Sequence, residues 1–135
     1  MLGAGDCFLL ETNRDRDGTI ISHLFVIVIN PEEFTKNTIV VPVDTLTSRK
    51  QDQTTTLNLG DHEFIKKPSF INYNRARIMT VTFIDQMIRD GKAKSKEPIK
   101  TEVLIKIRDG LRKSDHTPQE VLTMYGYYIM REIKK

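Results

Sequence analysis

The sequence predicts an α+β fold with a mainly β core: a small curled barrel capped by C-terminal helices. Three observations carry this reading. Residues 24–29, LFVIVI, form an unbroken apolar run rich in β-branched side chains, the pattern of a strand buried on both faces. Residues 38–43, TIVVPV, form a second such run. Ile99, Val103, Ile107 and Leu111 then recur every four residues with Leu104 beside them, which gives one apolar stripe along a helix. The chain reads as a single domain over residues 1–135, strand-rich over 1–84 and helical over 85–135.

The elements follow in order. A short strand is expected around residues 7–10, then a polar loop over 12–19 with Gly18 as its turn residue. After the strand at 24–29, Asn30-Pro31 stops the pairing and residues 31–34 suit one helical turn with Pro near its start. Pro42 has no amide hydrogen, so its strand should place it on an edge, at a bulge or where hydrogen bonding stops. Residues 44–53 read as a polar loop, 54–59 as an exposed strand, and 61–68 as irregular. A long strand is expected over 69–79, a short helix over 85–89 ended by Asp90-Gly91, and a basic linker over 92–96. Thr117-Pro118-Gln119-Glu120 is a helix start, with Thr as N-cap, Pro in first position and Glu three residues after the cap. Its helix places Val121, Leu122, Tyr125, Tyr128 and Ile129 on one broad face.

Composition removes several function classes. With 39% hydrophobic residues the chain has material for a core, but no window approaches the ~18 uncharged apolar residues of a spanning helix. Asp6 and Glu11 break the first apolar run, which has no basic residues ahead of it, so it does not read as a secretory signal. A lone cysteine, Cys7, forms no internal disulfide and fits a reducing compartment, hence a cytoplasmic protein. The net charge of +3 is unevenly spread: residues 1–44 hold 3 Lys/Arg against 7 Asp/Glu, and residues 45–135 hold 18 against 11. Solvated Lys-rich helices account for this more simply than a polyanion-binding face.

No phosphate-binding glycine loop, zinc-spaced Cys/His set or His-Glu-x-x-His occurs, and neither a metal nor a cofactor is expected. Asn13-x-Asp15-x-Asp17-Gly18 matches half of a calcium loop, but its twelfth position is Leu24 where a bidentate Glu is needed. Cys7 sits in an apolar strand, as a small buried hydrophobe rather than a nucleophile. The richest segment is residues 69–77, SFINYNRAR. On an alternating strand, Asn72 and Asn74 share one face, and Tyr73, Arg75 and Arg77 the other. Guanidinium groups grip phosphate, Asn orients a base edge, and Tyr73 offers a ring to an unpaired base. The same composition also describes an edge strand guarded by charge.

The order of these pieces resembles the PemK/MazF toxins of type II toxin–antitoxin systems: the Gly5-Asp6 strand start, the apolar strand ending at Asn30-Pro31, the Ile39-Val-Val-Pro-Val43 strand, the polar-centred strand over 69–79, and terminal helices. The resemblance spans about residues 5–113. It implies a small SH3-like barrel, a homodimer, and metal-independent cleavage of single-stranded RNA restrained by a small acidic antitoxin. The family's Arg-Pro pair before the apolar strand is His23-Leu24 here, and the Thr after the Val-Val-Pro-Val strand is Asp44, with Thr45 adjacent. Arg77 falls on a commonly basic position of the family, and the residues themselves suggest His23 as general acid/base, Arg75 and Arg77 as phosphate clamps, Asn72 and Asn74 as positioners, and Asp44, Thr45 and Tyr73 as substrate contacts. Related barrels inhibit a topoisomerase instead, so a non-catalytic RNA- or protein-binding module is the alternative.

Overall fold

The computed structural model describes residues 2–14 and 20–134. Its elements are β1 (Cys7–Arg14), β2 (Ile20–Ile27), β3 (Asn37–Thr45), β4 (Thr56–Leu57), β5 (Ser69–Ile71), a 3-10 turn (Tyr73–Arg75), β6 (Arg77–Thr80), α1 (Val81–Arg89), β7 (Ala93–Lys96), α2 (Thr101–Lys113) and α3 (Gln119–Ile133). The strands form a seven-stranded antiparallel sheet in the order β4-β5-β3-β2-β1-β7, with β6 also on β3. The expected α+β class with a β core and C-terminal helices is what forms. The sheet is open rather than a closed barrel, since β4 and β7 share no ladder among the described residues.

Alternation along the strands divides the interior in two. Leu24, Val26, Ile39, Val41 and Ile71 face α2 and α3, meeting Val103, Ile107, Leu111, Val121 and Tyr125. Phe8, Phe25, Ile27 and Val40 face the other way, against Ile84 and Met87 of α1. The stripe expected from residue spacing is the buried face of α2; each such side chain contributes about 1.5–3 kcal/mol on full burial.

β3 organises the sheet. Along one edge it pairs with β2; along the other, its first half pairs with β6 and its last residues with β5. Pro42 sits at the switch. Its carbonyl accepts from Asn72 N at 3.0 Å, and it has no N–H to return. The Asn72 carbonyl, which a regular ladder would offer to residue 42, accepts from Arg75 N at 3.0 Å instead and starts the 3-10 turn. The expectation that hydrogen bonding stops at Pro42 is met, and the expected continuous strand over 69–79 is broken there for that reason.

That break also corrects the reading of Tyr73. It is a buried side chain, not an exposed ring for a base. Its hydroxyl donates to the Ile107 carbonyl at 2.8 Å and lies 2.7 Å from Thr55 Oγ1. Gly110 makes room for it, because a Cβ there would run into Tyr73 OH and Thr55 Oγ1. Burial pushes the phenol pKa up, with the Thr55 hydrogen bond opposing.

Other differences have local causes. Residues 92–96 are not a linker: Ala93 to Lys96 pair with Leu10 to Cys7 through backbone bonds that lysine side chains do not hinder. The short helix starts at Val81 rather than residue 85, because the Thr80 hydroxyl accepts from Phe83 N at 3.1 Å and caps it. Residues 33–35 form a turn, and the strand expected over 54–59 shrinks to β4. Thr117 donates to the Leu111 carbonyl at 2.8 Å, tying the α2–α3 connection, and α3 begins after Pro118. Cys7 is buried, which pushes its thiol up to about 12 and keeps it from acting as a thiolate at neutral pH. Much of the half-matched calcium loop lies outside the described residues.

Two stability predictions follow from these contacts. Gly110→Ala lowers unfolding free energy by about 1–3 kcal/mol through overpacking, and Tyr73→Phe costs about 1–3 kcal/mol by orphaning buried partners. The double variant loses less than the sum in denaturant titrations, since removing the hydroxyl relieves part of the clash. Asp52 ties the loop before β4 to the end of α2 by accepting from Ser114 Oγ at 2.6 Å. Burial alone would raise its pKa, but hydrogen bonds from Ser114 and Thr54 outweigh burial and lower it. Its stabilisation is therefore present above the unfolded value of about 3.9 and lost as pH falls through the folded value. Asp52→Asn flattens that acid limb in stability-versus-pH curves.

Candidate functional site

Beyond the patch that α1 covers, the same sheet face turns polar. Leu24 pairs with Val43, so one step outward His23 stands opposite Asp44. On the other side of β3, Asp44 pairs with Phe70, and Asn72 follows two residues later on the same face. His23 Nδ1 lies 2.8 Å from Asp44 Oδ1, and Asn72 Nδ2 donates to Asp44 Oδ2 at 2.7 Å. The carboxylate is therefore approached from β2 and from the residue just after β5. Oδ1 is buried and accepts no well-aligned hydrogen bond, so its contact with the imidazole is chiefly electrostatic, with the ring nitrogen close but off the ideal line.

The contact still fixes the chemistry of the ring. A bare lone pair on Nδ1 facing a carboxylate oxygen at 2.8 Å would be repelled, so the ring form that carries its hydrogen on Nδ1 is the one this contact favours. That leaves Nε2 as the nitrogen that can exchange a proton with a ligand. The side chains keep 20% and 16% of their surface exposed for His23 and Asp44, enough for access without full hydration.

Arg77 projects from β6 onto this face, its guanidinium 5.0 Å from the centre of the Phe25 ring. Phe25 in turn stacks on Phe8, with centroids 5.4 Å apart. Phe25 is two residues from His23 on β2, about 7 Å along a strand. Partial burial and then the neighbouring Arg75 charge lower the pKa of Arg77. Among the described residues, neither arginine has a carboxylate within ion-pair distance. The two guanidinium groups therefore repel one another and carry no ion pair among the described residues.

The other sequence-derived residues divide. Asn74 and Arg75 are exposed in the 3-10 turn, so Asn74 does not share a strand face with Asn72 as expected. Thr45 pairs with Ser69 and alternates away from Asp44; it lines a groove of about 330 Å³ with His23, Phe64, Lys66 and Lys67. His23 is the one residue common to that groove and the Asp44 contact. Tyr73 belongs to the core. Residue spacing did not reveal the His23–Asp44 contact, although each lies one step outside a buried run. Phe25 as a platform for Arg77 had no sequence signal. No group of three or more His, Cys, Asp or Glu is arranged to hold a metal among the described residues, and no helix there is long and apolar enough to cross a membrane.

No family model matches the sequence, and no curated protein matches it either. Solved structures do. A chain of the MazE–MazF complex (form III) from Deinococcus radiodurans superposes with a TM-score of 0.52 at 14% identity, over 83% of this chain and 94% of that one. At that identity the likeness is one of architecture: this chain has a MazF-like fold.

Proposed function

We propose that the protein is a MazF-like toxin that cleaves single-stranded RNA without a metal, acts as a cytoplasmic homodimer, and is restrained by a small acidic antitoxin. The observation that carries the reading is the His23–Asp44 contact of 2.8 Å on a MazF-like sheet. It lies where the resemblance puts the family's Arg before the apolar strand and Thr after the next one.

The chemistry follows from those groups. His23 Nε2 takes the proton of a ribose 2′-hydroxyl, whose oxygen attacks the adjacent phosphorus. The 5′-oxygen leaves and takes a proton from solvent water, giving a 2′,3′-cyclic phosphate and a 5′-hydroxyl, and the imidazolium returns its proton to solvent. Asp44 holds the ring and stabilises the imidazolium that forms. Asn72 keeps Asp44 in place, and Arg75 with Arg77 stabilises the extra charge on the phosphoryl oxygens.

A non-catalytic RNA-binding module on the same sheet is favoured by one feature, Asp44 itself. A carboxylate where the resemblance expects a hydroxyl repels a phosphate unless His23 neutralises it. Cleavage separates the readings. The nuclease reading expects cutting of single-stranded RNA that survives a chelator, with His23→Ala lowering kcat about 10²–10⁴-fold and Asp44→Asn lowering it less. RNA that is bound salt-sensitively and left intact, with His23→Ala unchanged in every assay, contradicts it in favour of the binding module. An antitoxin partner is tested by co-purification of the native protein, which should carry a small acidic companion.

A further inference from the structure

The segment between Gly60 and Pro68 lies outside the His23–Asp44 chemistry, yet its geometry is closely fixed. His62 is buried. Its Nε2 is hydrogen bonded to the Glu97 carbonyl just after β7, and its Nδ1 accepts from Phe64 N at 2.9 Å. Ile65 N donates to the His62 carbonyl at 3.0 Å, and the Ile65 side chain is buried in the core. The backbone on both sides of Phe64 is thus pinned, while its ring stays 41% exposed. A lone exposed Phe is ordinary; one presented by a doubly bonded turn at the wall of two cavities is a platform.

Those cavities adjoin. The larger, about 680 Å³, lies between this turn and β7 and is lined by Phe64, Lys66 and Lys96. The smaller, about 330 Å³, is lined by Phe64, Lys66, Lys67 and His23. Phe64 and Lys66 are walls of both, so the two make one track, whose wall includes His23 and, on the sheet face turned away from Asp44, Thr45. Lys66, Lys67 and Lys96 outnumber the acidic Glu63 and Glu97 along it. Lys94, two residues before Lys96 on β7, adds a further charge on the same face.

We propose that this track is a binding subsite for single-stranded RNA, with one base stacked on Phe64 and flanking phosphates held by Lys66, Lys67 and Lys96. It rests on RNA being the substrate, and it adds a determinant of affinity separate from the reacting groups. A flat aromatic between cations accepts any base face and tracks the backbone without reading an edge.

The test uses the full-length protein and a labelled single-stranded oligonucleotide of 2′-deoxy residues, which lacks the attacking hydroxyl. Binding is read by anisotropy at several salt concentrations. Phe64→Leu, which keeps apolar bulk without the planar ring, should weaken binding roughly 10-fold and leave the salt slope unchanged. The Lys66→Gln/Lys67→Gln pair should lower the slope by about 1.4, for two lost phosphate contacts. On cleavable RNA, both should raise KM and spare kcat, with circular dichroism unchanged. If the wild type cleaves RNA while Phe64→Leu, the lysine pair and Lys96→Gln all bind as wild type does, the track is wrong and the nuclease reading stands. If the wild type binds through these residues and never cleaves, the track stands and the nuclease reading falls. Loss of both binding and cleavage in the wild type overturns both. Capture of an oligo-glutamate peptide that depends on these residues, with oligonucleotide binding unaffected, overturns the RNA assignment in favour of an acidic polypeptide.

Discussion

The constraint from which the rest of the architecture follows is a missing hydrogen. Pro42 occupies the middle of β3, the strand that pairs with β2, β5 and β6, and it has no amide hydrogen to give. The chain on that edge therefore cannot run straight past it. It stops at Ile71, turns through Tyr73–Arg75 and resumes at Arg77. The freed Asn72 carbonyl takes the Arg75 amide, so the interruption is itself hydrogen bonded. A buried polar group left without a partner would cost ~1–3 kcal/mol; the turn removes that penalty.

This break has three consequences, two of them in the candidate site and one in the core. Asn72 is left beside Asp44 and holds one oxygen of it. Tyr73 is turned into the core, where its hydroxyl bonds the carbonyl of Ile107 and fixes the sheet against α2. Arg75 and Arg77 are brought close enough to repel one another. The site is thus a product of the backbone: a positioned carboxylate, an imidazole oriented by it, and two cations at the edge of an apolar platform. At the largely buried Asp44 carboxylate fewer solvent dipoles screen the contact with His23 than would in water.

The parts of this structure that periodicity governs were legible in the sequence. The apolar runs of β2 and β3 and the four-residue stripe of α2 require burial wherever they sit, and they are buried. The parts that depend on pairing were not. β7 is written in an alanine, a serine and two lysines, because backbone groups alone make its ladder with β1. Tyr73 was misread because strict alternation was carried across a strand that breaks, although Pro42 held the signal for the break. Of the site, His23, Asp44, Asn72 and Arg77 were named from the sequence, but alternation put Asn72 and Arg77 on opposite faces, where the broken strand and its register put both on the face of His23. Phe64 and Phe25 carried no signal at all: an aromatic in a turn or a strand reads as core until its neighbours are known.

What ties the fold to its chemistry is the claim that Asp44 holds the His23 ring with its proton on Nδ1 and leaves Nε2 to act. Long-range proton–nitrogen NMR of the labelled protein measures this directly on the neutral ring. The account predicts that Nδ1 carries the proton in the wild type, and that Asp44→Asn lets the Nε2–H form appear. A wild-type His23 with its proton on Nε2, or a tautomer balance indifferent to Asp44→Asn, would contradict it.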